Sequence, residues 1–153
     1  MDENICKIIK SGSTGNAVLY LNFILVDCGV SFKEIKPYLS KIKLVLLTHE
    51  HSDHFNINTI GKIHFERPGI KFICGEFLKD EIPFEKNVHF VSLDYGLLFQ
   101  NENLYIYPVN LYHDVKNFGY RIFKDDFKIF HATDTEHLKG IEAKNYDLYA
   151  LIS

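Results

Sequence analysis

The chain has 153 residues, a length typical of one domain, here predicted to span residues 1–153. Hydrophobic residues make up 46% and charged residues 24% of the chain, which argues against intrinsic disorder and against a coiled coil. The net charge of −3 argues against a nucleic-acid-binding protein that depends on bulk positive charge, but not against one whose positive charge comes from bound metal ions.

The first third of the chain has the pattern of short strands joined by tight turns. Apolar runs predict strands at Ile5–Lys10, Ala17–Tyr20 and Ile24–Val26. The segment SGSTGN at 11–16 is a turn, and the last two of these strands form a hairpin around Asn22-Phe23. This glycine turn is not a phosphate-binding loop, because no Gly-Lys-Ser/Thr follows it. We interpret it as structural, at a place where it could border a site.

Two helices and a buried strand follow. Ser31 with Glu34 three residues later predicts a capping box for a short helix that ends near residues 38–39. The run Lys43–Leu47 is apolar on both faces and suits a central strand. A helix is predicted to begin near Asn56, with isoleucines at helical spacing, and to end at Arg67-Pro68-Gly69.

The rest of the chain is predicted to be mostly β. After a strand at 71–74 and a short helix or turn at 77–80, candidate strands lie at Val88–Ser92, Gly96–Gln100, Leu104–Leu111, Gly119–Phe123, Phe127–His131 and Leu148–Ile152. Asp125-Asp126 predicts a hairpin turn. Strands, inserted helices and further strands indicate an α/β fold with mixed sheets.

The segment THEHSDHF at 48–55 concentrates metal-ligand residue types directly after the predicted buried strand. Side chains two residues apart in an extended chain point to the same face, so His49 and His51 can converge on one metal ion. Asp53 and His54 follow where the chain turns, and they can address a second ion about 3.5–4 Å away. Histidines on a polar surface loop are the alternative. The density of ligand residues in six positions favours a metal site, for which zinc suits imidazole and carboxylate donors.

The motif resembles the HxHxDH signature of the metallo-β-lactamase superfamily, and further segments match in the same order. ILVDCG at 24–29 resembles the strand that ends in an aspartate and a glycine. YHD at 112–114 resembles the isolated downstream histidine, and HATDT at 131–135 resembles the segment with the bridging aspartate. Within the superfamily, the chain is most similar to the small bacterial exonuclease-like branch of YycJ or WalJ type.

The resemblance implies a metallo-β-lactamase-like αββα sandwich and ligands for two metal ions. The implied ligands of the first metal are His49, His51 and His113, those of the second are Asp53 and His54, and Asp134 bridges the two. Asp27 would orient the histidines, as the partners of metal ligands commonly do. His137 is a minor candidate, while His64, His89 and His131 are expected to be structural.

The same resemblance indicates a fold shortened at its C-terminus. In the family a further histidine, downstream of the bridging aspartate, closes the second metal site. In this sequence, residues 146–152 resemble the family strand that follows the bridging aspartate, and the sequence ends at Ser153. The second site would then hold Asp53, His54 and Asp134 with water. Three protein ligands with water can bind zinc, and we expect weaker occupancy.

The expected function is metal-dependent hydrolysis, in which a metal-bound hydroxide attacks a phosphodiester and the catalytic Asp53 orients it. The expected cofactor is one or two Zn²⁺ ions, with Mn²⁺ or Fe²⁺ as alternatives, and the substrate is a small-molecule or nucleic-acid phosphodiester. The open alternatives are a catalytically impaired metal-binding module completed by a partner or by a second copy in a homodimer, and a thioester or lactam hydrolase. Redox chemistry is less favoured, because His51 stands where di-iron relatives have a glutamate.

The remaining composition predicts a cytoplasmic protein without membrane association. The cysteines are three, widely spaced and without a CxxC pair, which fits a reducing compartment better than a disulfide framework. The acidic start MDENICKIIK lacks an export signal, and no apolar run has the length of a membrane-spanning helix.

Overall fold

A computed structural model describes residues 4–152, and the chain divides into two compact units. The first unit extends to Phe90 and the second begins at Val91. The expectation of one domain over residues 1–153 stays a prediction.

The first unit is built on a six-stranded sheet with strands in chain order from edge to edge. Its strands are β1 (Cys6–Lys10), β2 (Ala17–Tyr20), β3 (Ile24–Val26), β4 (Leu44–Leu46), β5 (Lys71–Gly75) and β6 (Val88–Val91). Strands β1 to β3 pair antiparallel, whereas β3, β4 and β5 pair parallel, so the sheet is mixed. Strands β2, β3 and β4 are buried along their whole length, which explains their unbroken apolar sequences.

Two helices of the first unit begin where the sequence predicts. Helix α1 (Phe32–Ile35) has the Ser31–Glu34 capping box and continues as a 3₁₀ helix at Lys36–Tyr38. Helix α2 (Ile57–Glu66) begins at Asn56, whose side chain accepts hydrogen bonds from the next turn. A further 3₁₀ helix occupies Glu76–Glu81.

The core of the first unit lies between this sheet and the helices. Ile60 and Ile63 of α2 and Ile35 of α1 are completely buried in one cluster with Leu25 and Val45 of the central strands. Burying side chains of this size contributes about 1.5–3 kcal/mol each. The cluster therefore fixes the helices against the strands whose ends carry the histidine motif.

The second unit contains a five-stranded mixed sheet. Its strands are β7 (Leu97–Phe99), β8 (Leu104–Asn110), β9 (Phe118–Lys124), β10 (Phe127–Thr133) and β11 (Leu148–Ile152). The order is β11-β10-β9-β8-β7, with β10 and β11 parallel and the other pairs antiparallel. The β9–β10 hairpin turns at Asp125, which adopts a φ of 54° that aspartate tolerates.

These elements confirm the predicted α/β class with mixed sheets, and each predicted strand is present with ends that differ by at most two residues. The three cysteines are free. Within residues 4–152, none of the helices combines the length and the apolar character needed to cross a lipid bilayer.

Candidate metal-binding site

The histidine motif begins at the carboxyl end of β4, next to the carboxyl end of β3. Because these strands are parallel and adjacent, the residues that follow them meet at one edge of the sheet. Asp27 follows β3, and Thr48 and His49 follow β4. All three side chains are buried, with His49 and Thr48 fully removed from solvent.

Asp27 is the centre of a buried hydrogen-bond network. Its Oδ1 accepts hydrogen bonds from the main-chain N–H and the hydroxyl of Thr48, both at 2.9 Å. Its Oδ2 lies 2.6 Å from Nδ1 of His54. The residue has a φ of 66°, a left-handed conformation that aspartate adopts more readily than most residues. The aspartate that the resemblance assigns to orienting the histidines thus contacts one of them directly.

This network determines which ring nitrogen carries the proton in two histidines. An ionised carboxylate can only accept, so Nδ1 of His54 donates to Asp27. The hydroxyl of Thr48 has one hydrogen, directed to Asp27, and therefore accepts from Nδ1 of His49 at 2.8 Å. We assign the Nδ1–H tautomer to both rings, which leaves Nε2 of each as the basic nitrogen that a metal ion requires.

The four ligand-type side chains of the motif are close together. The ring centroid of His49 lies 5.1 Å from that of His51 and 4.3 Å from that of His54. A carboxylate oxygen of Asp53 lies 3.6 Å from Nε2 of His54. The expected convergence of His49 and His51 is therefore present, and Asp53 lies beside His54.

Main-chain hydrogen bonds hold the turn that carries Asp53 and His54. The N–H groups of His54 and Phe55 donate to the carbonyl oxygen of His51. Cys28 N–H donates to the carbonyl of His54 at 3.0 Å, and Asn56 N–H donates to the carbonyl of Cys28 at 2.8 Å. The motif is thereby fastened to the segment after β3 through two bonds of the kind that join strands.

Gly29 allows this close approach. A Cβ atom at this position would lie 1.8 Å from the carbonyl oxygen of Asp53, far inside van der Waals contact. The glycine of the Asp-Cys-Gly segment is therefore required by the backbone of the histidine motif itself.

Asn16 is a residue of the site that the sequence did not reveal. It is buried, and its Nδ2 donates to the carbonyl oxygen of Asp53 at 3.0 Å and lies 3.4 Å from the Asp53 carboxylate. The same amide bonds Gly12 in both directions, which shapes the 11–16 turn. The turn thus borders the motif. Its contact spans 37 positions and has no local sequence signal.

In the second unit, His113 lies in the loop after β8. The main-chain N–H of Leu111 donates to the main-chain carbonyl of Asn117. The side-chain amide of Asn117 donates to the carbonyl of Thr133, and this bond holds the loop against β10. The His113 ring is 20% exposed, and its Nε2 lies 3.1 Å from an oxygen of Asp114.

Asp134 follows β10 and has a φ of 50°. Its N–H donates to the carbonyl of Ile152 in β11. The segment after it is bonded to the His113 loop, because Tyr112 N–H donates to the Thr135 hydroxyl at 3.0 Å and Glu136 N–H donates to the Tyr112 carbonyl. The second unit therefore joins the loops that carry its two predicted ligands.

The other histidines have structural surroundings. His64 stacks on Phe84 with centroids 3.8 Å apart, and His137 stacks on Tyr112 at 4.1 Å. His131 is buried within β10, and His89 lies in β6.

Among residues 4–152, no cysteine lies in the clusters of possible metal donors. Complete burial, and secondarily the charge of Asp27, raise the pKa of the Cys28 thiol far above its usual range. Burial raises the pKa of Cys74 to about 12. The available donors are therefore imidazole nitrogens and carboxylate oxygens, which fit Zn²⁺ and related divalent ions.

Comparison with known proteins identifies a family and solved structures of similar fold. A sequence profile described as the Beta-lactamase superfamily domain matches residues 22–151. Among solved structures, the chain is similar to the metallo-β-lactamase fold protein YhfI from Bacillus subtilis, with a TM-score of 0.62 and 17% identity over 84% of this chain and 60% of that one. No curated protein sequence matches the chain.

Two other solved structures differ in their described chemistry. The short form of human tRNase Z matches with a TM-score of 0.59 and 20% identity, over 82% of this chain and 66% of that one. The chemotaxis sensor ODP, solved as a peroxy di-iron species, matches with a TM-score of 0.61 and 12% identity, over 84% of this chain and 58% of that one. This chain thus spans about three-fifths of the length of the YhfI and ODP structures. At these identities the likeness shows the fold: two mixed sheets with few helices are a metallo-β-lactamase-like arrangement.

Proposed function

Because the chain belongs to the β-lactamase superfamily, a family of mostly metal-dependent hydrolases, we propose that it hydrolyses phosphodiesters with bound divalent metal ions. The observation that carries the proposal is the buried network of Asp27 with Thr48 and His54. A surface loop of histidines would not need a carboxylate 2.6 Å from a ring nitrogen. Such outer partners fix the tautomer of metal-binding histidines.

The proposed ligands come from both units. His49, His51 and His113 would hold the first metal ion, Asp53 and His54 would hold the second, and Asp134 would contribute to both. Support comes from the proximity of the rings in the first unit and from the segments around residues 113 and 134 that resemble the superfamily pattern. Zn²⁺ is the first choice for this donor set. Mn²⁺ and Fe²⁺ are alternatives, and the di-iron state of a structural neighbour makes iron worth testing.

When bound, the metal ions lower the pKa of water toward 7 and stabilise developing negative charge. The chain's own residues position the reaction. Asp53 would orient the nucleophile, since its carboxylate lies 3.6 Å from Nε2 of the proposed ligand His54. Asn16 positions Asp53 by donating to its main-chain carbonyl. Asp27 and Thr48 keep the ring nitrogens of His54 and His49 in the ligand tautomer.

A phosphodiester is the favoured substrate because of the resemblance to the exonuclease-like branch. The structural likeness to tRNase Z agrees with this choice, whereas the net charge of −3 does not favour a nucleic acid. Thioester or lactam hydrolysis is the alternative, since the same ligands serve several substrates.

A second candidate function is a metal-binding module without independent activity, completed by a partner or a second copy. The chain spans 60% of YhfI, and the metal content per chain distinguishes this module from the hydrolase. One tightly bound ion per chain, together with a dimer on gel filtration, would support this module. Two ions per chain support the hydrolase.

The test is metal analysis of the purified chain beside His49→Ala, His54→Ala and the control His64→Ala. We expect His49→Ala to lose all metal, His54→Ala to lose part, and His64→Ala to retain it, because His64 stacks on Phe84 instead. Turnover of bis(p-nitrophenyl) phosphate with added zinc or manganese measures the activity. A folded, metal-loaded sample without turnover would contradict the hydrolase proposal.

A further inference from the structure

The second unit has a concave pocket of about 300 Å³ with aromatic and cationic lining. Its polar side chains are Tyr107, Asn110, Tyr112 and Arg121, and Gly140 also lines it. This volume lies at the lower end of the range for small-molecule binding sites. Such sites are lined mostly by apolar side chains, and a few polar groups fix the orientation of the ligand.

Arg121 enters the pocket from the middle of the sheet. It lies on β9 directly opposite Tyr107 of β8, and directly opposite residues of an antiparallel pair project from the same face. Its Nη2 donates to the carbonyl of Glu142 at 2.6 Å. Its buried Nε has no hydrogen-bond acceptor among residues 4–152. The guanidinium is thus held in place by one bond with donors left over.

The charge of Arg121 is not neutralised by an ion pair with any carboxylate that the structure describes. Burial raises the pKa of Tyr146, and the nearby positive charge of Arg121 opposes that rise. A planar guanidinium with available donors matches the oxygens of a phosphate group, which it can contact through two parallel hydrogen bonds. The pocket therefore suits an anion of that geometry.

Two tyrosines offer ring surfaces beside this cation. Tyr107 lines the pocket and contacts Tyr105 with centroids 5.1 Å apart, and Tyr112 is stacked on His137. Aromatic side chains beside a cation are the arrangement with which proteins bind a base and its phosphate. Tyr112 also directly precedes His113, so the pocket adjoins a proposed metal ligand along the chain.

We propose that this pocket binds one nucleotide of a nucleic-acid strand, with Arg121 on the phosphate and a tyrosine ring on the base. The proposal rests on the proposed phosphodiester hydrolysis and names its substrate as a nucleic acid. The bound nucleotide would neighbour the scissile phosphodiester. It also explains how an acidic chain can bind nucleic acid, because the half-buried Arg121 supplies positive charge locally.

The test measures binding without catalysis, by fluorescence anisotropy of a short labelled single-stranded oligonucleotide in the presence of a chelator. Arg121→Gln should weaken binding about tenfold, since bonds to a charged group are lost. The matched control is Arg67→Gln, because Arg67 also donates to a main-chain carbonyl at 2.6 Å but lies in the first unit. Arg67→Gln should change the affinity less than twofold. Equal affinities of the two variants would overturn the proposal.

Folding and stacking need their own variants. If Arg121→Gln does not fold, Arg121→Lys retains the charge and loses only the fork, with an expected loss of about threefold. Tyr107→Leu should weaken binding about fivefold, and Tyr107→Phe should restore it, because stacking needs the ring and not the hydroxyl. Tyr105→Leu, outside the pocket lining, is the control. A loss in Tyr105→Leu equal to that in Tyr107→Leu would count against a base at Tyr107.

Competition separates a nucleotide from a simple anion. A nucleoside monophosphate should displace the oligonucleotide at concentrations at least tenfold lower than inorganic phosphate, because only the former supplies a base. Equal competition, or no binding of the oligonucleotide to the wild type, would overturn the proposal. Binding that depends on Arg121 without turnover of bis(p-nitrophenyl) phosphate would refute the hydrolase and leave the pocket standing. Turnover of bis(p-nitrophenyl) phosphate without Arg121-dependent binding of the oligonucleotide would refute the nucleotide pocket and support the hydrolase.

Discussion

The two units hold their predicted metal ligands in different ways. In the first unit, hydrogen bonds from other side chains hold the histidines. His54 is 1% exposed and bonded to the Asp27 carboxylate, and His49 is bonded to the Thr48 hydroxyl. In the second unit, the main chain fixes loops: His113 is 20% exposed, and its loop is closed by bonds of Leu111 and Tyr112.

An aspartate in each unit makes the difference instructive. Asp27 and Asp134 both follow a strand directly and both have a left-handed φ, of 66° and 50°. Asp27 is buried and connects the strand to the histidine motif, so it contributes to folding as well as to the site. Asp134 is half-buried in a loop. We therefore expect substitutions at the predicted site of the first unit to lower both stability and metal binding. Substitutions of the predicted ligands of the second unit should lower metal binding alone.

The largest expected effect is that of Asp27→Ala. Removing the carboxylate leaves the buried donors of Thr48 and His54 without their acceptor, which should lower the free energy of unfolding by about 2–4 kcal/mol, since each unpaired buried donor costs about 1–3 kcal/mol. Urea unfolding measures this. Asp126→Ala, in an exposed hairpin turn, is the control and should change stability by less than about 0.5 kcal/mol. Equal stabilities of the two variants would show that the network does not stabilise the fold.

Gly29→Ala tests the backbone contact beneath the motif. The added Cβ meets the Asp53 carbonyl, and we expect a loss of about 1–3 kcal/mol from this overpacking. The control Gly61→Ala, with open space at its Cβ and a position inside α2, should instead gain about 0.4–1 kcal/mol. Thermal unfolding of the pair gives opposite signs if the close approach is real, and a stabilised Gly29→Ala would refute it.

His113→Ala addresses the second unit. Because the ring is partly exposed and its loop is held by main-chain bonds, we expect a change in stability within about 0.5 kcal/mol in the metal-free protein. Metal content, measured by elemental analysis, should fall by about one ion. A variant that unfolds like Asp27→Ala would remove the distinction between the units.

The smallest effect concerns pH. Burial, and secondarily the charge of Lys71, lower the pKa of His89 below its usual value of 6.5. In the unfolded chain the ring takes up its proton at higher pH than in the folded chain, so stability falls as the pH drops below about 6.5. His89→Gln should make the stability less dependent on pH between 7 and 5.5, as measured by urea unfolding at both values. An unchanged dependence would exclude His89 as its source.

Local signals in the sequence predicted most of the secondary structure. The Ser31–Glu34 capping box and the Asn56 cap are decided by residues within one turn, and both are present. The prediction of neighbouring rings at His49 and His51 also depends only on the period of an extended chain. Such features are short-range, so residues close in the sequence decide them.

Long-range features could not be predicted in the same way. The contact of Asn16 with Asp53 depends on how a glycine turn folds over a distant loop, and the sequence near Asn16 shows only a turn. The pocket around Arg121 depends on strand register across β8 and β9, which places Tyr107 opposite it. A register shift of one residue would place Tyr107 and Arg121 on opposite faces of the sheet, and composition does not reveal the register.

Asp27 has a consequence for the interpretation of any mutational series. Thr48 and His54 donate to the same carboxylate. The energetic contribution of each residue therefore depends on the other, without a direct contact between them. Their substitutions should therefore be non-additive in a double-mutant cycle, with a coupling energy of about 0.5–3 kcal/mol. The orientations of His49 and His54 are therefore coupled through Thr48 and Asp27, and this coupling does not require a bound metal ion.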